Sequence, residues 1–439
     1  MKESQFNLYF TAPDGVRLAF NSLSCALAIV DNDYNSLLKN ILDLNDNNVP
    51  EGLKDIYLSA KEGNFIVENE KDEILDLITK RNCQKYNTET LGLTIAPTLA
   101  CNFKCIYCFE NSKNGVMTNE VANKIIDFVQ NRSSSIHHLD VAWYGGEPLL
   151  ATESIYYLSE NFIKICKNND ISYHAYMITN GSLITDKIIE NMIKYNISGA
   201  QITIDGPPEI HDKRRISKSG DSTFYSLITN INKLLKIDNF ELTLRINVDK
   251  TNEAFVDSLL KILHENLISH KIKITFGHVS AYTEACKSIE NNCFSNKEFA
   301  LNMVEYYKLL KKYGFAEYND FPYPTIKLNY CCAEVVNALV IDHEGYVYKC
   351  WNQVGDIDMS IGNIVSEDFD PVNYKHGYWL ERNPVNNAKC KSCNLLPVCM
   401  GGCPYSSLIL GKNDNCDSVK FNIKKIMLSY YNNFIEHNI

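Results

Sequence analysis

The sequence predicts an α/β protein whose centre is a partial (β/α)6 barrel of the TIM type. Between residues 89 and 280, short apolar runs alternate with segments of roughly 10–15 residues that have helical periodicity. This alternation is typical of parallel strands that are connected by covering helices. The predicted strands are Leu91–Ala96, Leu139–Trp143, Ser172–Ile178, Ala200–Ile204, Leu242–Val248 and Ile272–Phe276. In such barrels the loops that follow the strands carry the functional residues.

Two further regions flank the predicted barrel. Residues 1–88 predict a small α+β domain, because Asn7–Thr11 and Val16–Phe20 alternate around an Asp14-Gly15 turn, as in a β-hairpin. Residues 281–330 predict a helical connector. Residues 331–439 have few long periodic segments and many cysteines, and a region without a large core can be held together by metal sites.

The composition excludes several classes of protein. A net charge of -10 argues against a nucleic-acid partner, which rewards clustered Lys and Arg. No apolar run approaches the length needed to span a membrane, and the first residues lack the layout of a signal peptide. We therefore expect a cytoplasmic protein. In that reducing compartment, 16 cysteines indicate metal ligands or redox groups rather than disulfides.

Three cysteines directly after the first barrel strand form the first cluster. Cys101, Cys105 and Cys108 have Cys-x3-Cys-x2-Cys spacing, which can hold three irons of a 4Fe–4S cluster. The fourth iron then has no protein ligand and can bind a substrate. A zinc site with a distant fourth ligand is the alternative. The position of the three cysteines after the first barrel strand favours an iron–sulfur cluster.

This cluster resembles that of the radical S-adenosylmethionine (SAM) superfamily, whose signature is Cys-x3-Cys-x-aromatic-Cys, with Tyr107 as the aromatic residue here. The resemblance implies that the open iron chelates the amino and carboxylate groups of SAM. An electron from the cluster then breaks a carbon–sulfur bond, and the resulting 5′-deoxyadenosyl radical abstracts hydrogen from a substrate. The resemblance makes the three cysteines catalytic and predicts that Tyr107 contacts the adenine.

Further loops on the same side of the barrel are candidates for SAM binding. Gly145, Gly146 and Glu147 resemble the Gly-Gly-Glu-Pro motif of the family, with glycines that allow close approach and a carboxylate for an ammonium group. Turn chemistry and surface salt bridges are the alternatives for the other candidates. By the resemblance, those other cofactor-binding residues are Asn180, Thr203, Asp205, Arg215 and Arg245.

Seven cysteines in the last hundred residues resemble the SPASM extension of this superfamily, which binds two auxiliary 4Fe–4S clusters. The resemblance assigns the cluster nearer the active site to Cys332, Cys350 and Cys403. It assigns the distal cluster to Cys390, Cys393, Cys399 and Cys416. The sequence therefore predicts three 4Fe–4S clusters in all, and paired zinc sites are the alternative.

The nearer auxiliary cluster lacks a fourth ligand in this assignment. Cys331 is the local candidate, but on a strand the side chains of Cys331 and Cys332 would point to opposite faces. Cys286 and Cys293 are more distant candidates. We favour an open iron that binds a substrate thiolate.

The substrate class follows from two differences between branches of the family. The sulfatase-maturing branch has its cysteine triad near the N-terminus, whereas 100 residues precede Cys101 here. This extension resembles the winged-helix-like domain with which peptide maturases bind a leader peptide by strand addition. The sulfatase branch also has an Asp where this chain has Trp351 after Cys350.

These differences favour a maturase of a ribosomally made precursor peptide. Our first hypothesis is the formation of Cys thioether crosslinks, as in sactipeptide and ranthipeptide synthases. Carbon–carbon crosslinking, peptide epimerisation and sulfatase maturation are the alternatives, and an iron–sulfur electron carrier is the non-enzymatic one. The expected partners are a precursor peptide with a leader and an electron donor such as flavodoxin or ferredoxin.

Overall fold

A computed structural model describes residues 1–110, 112–268, 272–315, 322–412 and 415–438. The chain divides into two compact units. The first unit comprises Met1–Lys85, Phe321–Cys331 and Arg382–Ile439. The second unit comprises Tyr86–Asp320 and Cys332–Glu381.

The strands and helices are numbered in chain order. The strands are β1 Lys2–Glu3, β2 Asn7–Thr11, β3 Arg17–Asn21, β4 Leu27–Ile29, β5 Ile66–Val67, β6 Thr90–Ile95, β7 Phe103–Cys105, β8 His138–Trp143, β9 Ser172–Thr179, β10 Ile197–Thr203, β11 Arg215–Ser217, β12 Glu241–Val248, β13 Lys273–His278, β14 Ala338–Ile341, β15 Tyr346–Tyr348 and β16 Gly362–Asn363. The helices are α1 Asn32–Lys39, α2 Lys54–Glu62, α3 Glu73–Lys85, α4 Asn119–Gln130, α5 Thr152–Asn168, α6 Asp186–Lys194, α7 Pro208–Arg214, α8 Phe224–Leu234, α9 Val256–Asn266, α10 Asn296–Lys312, α11 Tyr374–Leu380, α12 Ala388–Lys391, α13 Leu396–Cys399, α14 Pro404–Leu408 and α15 Val419–Asn438. None of the described helices is both long and apolar enough to cross a membrane.

The second unit is built on a nine-stranded sheet with the order β13-β12-β10-β9-β8-β6-β14-β15-β16. The strands β6, β8, β9, β10, β12 and β13 are parallel and pair with their neighbours along the chain. This order confirms the predicted α/β fold with its TIM-like partial barrel. Each predicted strand overlaps an observed one, and the ends differ by a few residues.

The two faces of this sheet have opposite character because side chains alternate along a strand. Apolar residues such as Leu93, Val141 and Met177 belong to the core that includes the covering helices. The alternate residues face the barrel interior, where Asp140 and His174 are opposite one another on β8 and β9 and are exposed. The barrel therefore has an apolar outside and a polar, accessible inside.

A cavity of about 320 Å³ lies along this inner face. Gly92 pairs with both Asp140 and Ala338, so that one row across the sheet combines two small residues with polar ones. The same cavity is lined by Cys332 and Lys349. This chamber inside the barrel gives space for a substrate.

The first unit contains a three-stranded antiparallel sheet, β2-β3-β4. The predicted hairpin is present, and its turn uses Gly15 with a φ of 89°. Tyr34 and Leu37 of α1 belong to one core cluster, whereas Phe20 of β3 belongs to another together with Met427 of α15.

The predicted C-terminal domain, 331–439, is divided between the two units. Residues 332–381 group with the barrel because β14 adds a parallel strand beside β6, and residues 382–439 group with the N-terminal region. Cys331 and Cys332 do not form a strand, since a 3-10 turn begins at Cys332. The predicted connector 281–330 contains α10, and its residues 316–321 lie outside the described residues.

We expect Phe162→Ala to destabilise the barrel unit by about 3–5 kcal/mol, because Phe162 lies on the buried face of α5 and its ring is fully buried. All three tryptophans, Trp143, Trp351 and Trp379, lie in this unit, so their fluorescence during urea unfolding reports on it. Lys164→Ala on the exposed face of the same helix is the control. An unchanged unfolding midpoint for the phenylalanine variant would contradict this packing.

Candidate functional site

The three cysteines of the first cluster lie on the loop that follows β6. The short strand β7 pairs with β11, with Cys105 opposite Arg215. The Cys101 Sγ accepts a hydrogen bond from the Phe103 N–H at 3.4 Å, and the Cys108 N–H donates to the Cys105 carbonyl at 3.2 Å. This local bonding shapes the loop into a compact turn.

Burial dominates the electrostatics of the three thiols, and each thiol also responds to charges near it. Burial raises the pKa of Cys101 to about 11, with a further contribution from Cys105. Burial also raises the pKa of Cys108 to about 12, and the thiols of Cys105 and Cys101 add to this effect. The thiols are therefore protonated until a metal displaces their protons.

The two glycines that follow β8 pack against the backbone of this loop. Gly145 has a φ of 114°, and a Cβ at this position would collide with the Thr98 carbonyl oxygen. A Cβ at Gly146 would lie 2.6 Å from the Leu99 carbonyl oxygen. Both glycines thus allow the backbone that leads to Cys101 to pass directly over them.

Glu147 connects the ends of neighbouring strands. Its side chain is fully buried, and Oε1 accepts from the Thr179 hydroxyl at 2.7 Å and the Leu149 N–H at 3.1 Å. Oε2 accepts from the Asn180 N–H at 2.7 Å. Burial raises the pKa of Glu147, and these hydrogen bonds oppose the shift. The carboxylate therefore has protein donors at both oxygens, and Oε2 retains capacity for one more.

Tyr107 is the centre of a polar network at the ends of β10 and β12. Its hydroxyl donates to the Asp205 carboxylate and accepts from Arg215 Nη1 at 2.8 Å and Asn247 Nδ2 at 3.2 Å. The Arg214 guanidinium lies 5.2 Å from the centre of the ring. This network places the aromatic residue of the cysteine motif beside a buried aspartate.

The remaining predicted residues lie on the same edge of the sheet. The Asn180 side chain donates to Asn102 Oδ1 at 2.7 Å, and Asn102 donates in turn to the Ser182 hydroxyl at 2.9 Å. Thr203 pairs with Arg245 across β10 and β12. The structure therefore brings the predicted SAM-binding residues to one edge, although their contacts with SAM stay a prediction.

The sequence analysis did not identify Asn247 and Asn252 as polar residues of this edge. Arg245 Nε donates to Asn247 Oδ1 at 2.7 Å, and Asn252 Nδ2 donates to the Asp205 carbonyl at 2.7 Å. Thr243, Arg245 and Asn247 alternate with apolar residues along β12. That two-residue period was a signal for an inward-facing polar row.

The four cysteines predicted for the distal auxiliary cluster lie in the first unit. They line one cavity of about 210 Å³, and they are Cys390, Cys393, Cys399 and Cys416. A Cβ at Gly402, whose φ is 72°, would collide with the Asn415 carbonyl oxygen beside Cys416. Arg382 donates to the carbonyl oxygens of Gly401, at 2.7 Å, and Gly402, at 3.0 Å.

The cysteines predicted for the nearer cluster belong to both units. Cys332 and Cys350 are in the second unit, whereas Cys331 and Cys403 are in the first. The Cys350 N–H donates to the Gln353 side chain at 3.3 Å. Trp351 packs against Tyr144, with 4.7 Å between the ring centres.

The two more distant candidate ligands have local partners. The thiol of Cys286 is buried and contacts the carbonyl oxygens of Ser280 and Thr283 at 3.8 and 3.4 Å. The Cys293 thiol contacts the Ile289 carbonyl oxygen at 3.5 Å. Both cysteines lie after β13, in a cluster that includes Tyr107.

The arrangement of the thiols fits iron–sulfur clusters. The triad offers three neighbouring thiols at a barrel mouth, and the distal set offers four thiols around one cavity. Thiolates are the usual ligands of such clusters. Among the described residues, no three His, Cys, Asp or Glu side chains converge closely enough to hold a single metal ion.

Comparison with known proteins agrees with this site. Residues 95–262 match the sequence model of the Radical SAM superfamily. The chain is 26% identical to a cysteine-type anaerobic sulfatase-maturating enzyme of Clostridium novyi, over 76% of this chain and 94% of that enzyme. It is 23% identical to the radical SAM cyclopropyl synthase TigE of Paramaledivibacter caminithermalis, over 85% of this chain and 83% of TigE.

A solved structure extends the similarity of fold. Streptococcus suis SuiB bound to its precursor peptide SuiA matches with a TM-score of 0.54 and 16% identity, over 95% of this chain and 98% of SuiB. Residues 95–262 are thus similar in sequence to the radical SAM superfamily.

We expect Gly146→Ala to displace the loop that carries Cys101, because the new methyl group would overlap two backbone carbonyl groups. The reconstituted variant should hold about four fewer irons per chain, which corresponds to one 4Fe–4S cluster, and should form no 5′-deoxyadenosine. Iron analysis and chromatography of the reaction measure both effects. Gly377→Ala is the control, since a Cβ there meets no atom within 4 Å. Full iron content in the Gly146 variant would refute the steric argument.

Proposed function

We propose that this protein is a radical SAM maturase of a ribosomally made precursor peptide and that it forms Cys thioether crosslinks. The proposal of a peptide substrate is supported by the fraction of this chain that matches known proteins. In structural comparison the fold of SuiB, which was solved with a precursor peptide, matches 95% of this chain, whereas the fold of anSMEcpe with bound AdoMet matches 80% of it. Trp351 further separates this chain from the sulfatase branch, which has an acidic residue at that position.

Each part of the barrel has a separate task in this proposal. When bound, SAM and its cluster supply the radical that removes a hydrogen atom from the peptide. Cys101, Cys105 and Cys108 hold that cluster, and Tyr107 with Asp205 forms the adjacent polar wall. The accessible inner face of the barrel accepts the peptide.

The thioether linkage is supported by the surroundings of the nearer auxiliary cluster. Cys332 lines the barrel cavity, so a cluster held there has access to the peptide. Cys286 and Cys293 have local carbonyl partners, which favours three protein ligands and one open iron. An open iron can hold the thiolate of the peptide close to the radical carbon, and this raises the effective concentration of the two partners.

Carbon–carbon bond formation is the second candidate, and the similarity to TigE favours it. TigE is a cyclopropyl synthase and matches 85% of this chain. Both reactions remove two hydrogens from the peptide, but only thioether formation consumes a thiol. The number of free thiols in the product therefore separates the two candidates.

The N-terminal residues of the first unit supply a surface for the leader peptide. At the two ends of β4, the N–H of Val30 and the carbonyl of Ala26 pair with β3. By the alternation of antiparallel pairing, the N–H and C=O groups of Leu27 and Ile29 point away from β3. This edge is suited to an added strand.

The reaction can be tested with a short Cys-containing precursor peptide, sought among the reading frames that neighbour the gene of this protein. Wild-type enzyme with SAM and dithionite should yield 5′-deoxyadenosine and a peptide that has lost two hydrogens and one free thiol per crosslink. The combined variant Cys101→Ala, Cys105→Ala and Cys108→Ala should form neither product while it retains the auxiliary iron. Mass spectrometry with thiol alkylation measures the peptide. Unchanged thiols in a crosslinked product would favour carbon–carbon chemistry, and turnover by the triple variant would refute the proposal.

Leader binding can be tested at a single backbone group. Ile29→Pro removes an N–H that points away from β3, so the sheet should persist while leader affinity falls by about tenfold, equivalent to roughly one or two hydrogen bonds. Ile29→Ala is the matched control, because it keeps the N–H and shortens the side chain. Fluorescence anisotropy of a labelled leader peptide measures the affinity. Equal affinity of the proline variant and the wild type would exclude this edge.

A further inference from the structure

A group of exposed lysines surrounds the cavity of the distal cysteines. Residues 382–425 contain seven Lys and Arg but two Asp and Glu, although the whole chain has a net charge of -10. We call the exposed lysines of this segment the basic surface. Its members are Lys389, Lys391, Lys412, Lys420, Lys424 and Lys425.

Two helices, α12 and α15, carry five of these six lysines. Lys389 and Lys391 lie on either side of Cys390 in α12. Lys420 and Lys424 are four residues apart on α15 and therefore share one face of that helix. Lys389 and Lys420 line the cavity together with the four cysteines, so cations stand at its rim.

One of the two acidic residues of the same segment has its cationic partner elsewhere in the chain. Asp417 forms an ion pair with Lys327, at 3.1 Å, which lies outside the segment. Asp414 lies outside the described residues. A concentrated positive field on an acidic protein attracts acidic partners and orients them during encounter.

The proposed reaction requires such a partner. Of the two hydrogens that leave the peptide, one departs as an atom to the 5′-deoxyadenosyl radical. The other departs as a proton to solvent and one electron. That electron must leave the enzyme, and an oxidised one-electron carrier can take it and become reduced by one electron.

We propose that the basic surface is the docking site of an acidic one-electron carrier protein of the flavodoxin or ferredoxin class, which exchanges electrons with the distal cluster. This proposal rests on the proposed function, because it requires the distal cluster. Docking at the rim brings the redox centre of the carrier close to the four cysteines. The positive charge guides approach and sets the salt dependence of binding.

The binding test uses the reconstituted enzyme and an oxidised, acidic flavodoxin in calorimetric titrations at low and high salt. The combined variant Lys391→Glu, Lys424→Glu and Lys425→Glu should weaken the Kd about tenfold or more at low salt and lose most of its salt dependence. The control variant reverses three exposed lysines of the second unit, Lys124, Lys236 and Lys311. It should bind within about twofold of the wild type.

A second measurement separates docking from catalysis. Dithionite-driven formation of 5′-deoxyadenosine should be equal in the wild type and the basic-surface variant, whereas flavodoxin-driven formation should fall in the variant. If dithionite drives no reaction in the wild type, the proposed function fails. If dithionite works but the variant binds flavodoxin like the wild type, the docking proposal alone is overturned.

Two further outcomes are informative. A variant that loses affinity for the precursor peptide instead of flavodoxin would assign the basic surface to the peptide and overturn the proposal. If the triple variant binds less iron, the pair Lys424→Glu and Lys425→Glu on α15 replaces it, since neither residue is adjacent to a cysteine. Weaker flavodoxin binding with full iron content then supports the proposal.

Discussion

The site depends on the close passage of two backbone segments at the ends of β6 and β8. The glycines at 145 and 146 lie directly against the carbonyl groups of residues 98–100, and the N–H of Glu147 donates to the Ala100 carbonyl at 2.9 Å. Cys101 follows immediately, so its position is set by this contact. Glu147 then extends the same support to β9 through its bonds to Thr179 and Asn180. One loop thus fixes the first cysteine and joins three strands.

The alternation of side chains along the strands produces the second constraint. An apolar outer face holds the helices and supplies stability, which leaves the inner face free to be polar and accessible. Near the carboxyl ends this inner row becomes the network of Tyr107, Asp205 and Asn247. Reactive chemistry and structural packing are thereby placed on opposite sides of the same strands.

The sequence was informative where one residue type has one dominant use. The resemblance of the cysteine pattern to known families predicted both sets of thiols, and the four cysteines of the distal set line one cavity. Apolar periodicity predicted the strands of the barrel. It did not predict that residues 332–381 would join the barrel unit, because the pairing of β14 with β6 links residues about 245 positions apart and leaves no local pattern.

Polar roles were harder to predict because their partners are remote in sequence. The glycines at 145 and 146 were interpreted as space for a ligand, whereas their nearest neighbours are backbone atoms of the preceding loop. Asn102 and Asn252 carried no signal, since a lone asparagine in a loop is ordinary turn chemistry. Their importance appears only when folding brings separate strand ends together.

The position of β14 late in the sequence, far from its partner β6, has a consequence for biosynthesis. During translation β6 emerges early, but the strand that covers its free edge is made only after residue 338. Until then the nascent chain presents an unpaired parallel edge of apolar residues, which invites association with other chains. Chaperones, or slow elongation before this point, would protect the intermediate. Truncation near residue 331 should therefore produce inclusion bodies rather than a smaller working enzyme.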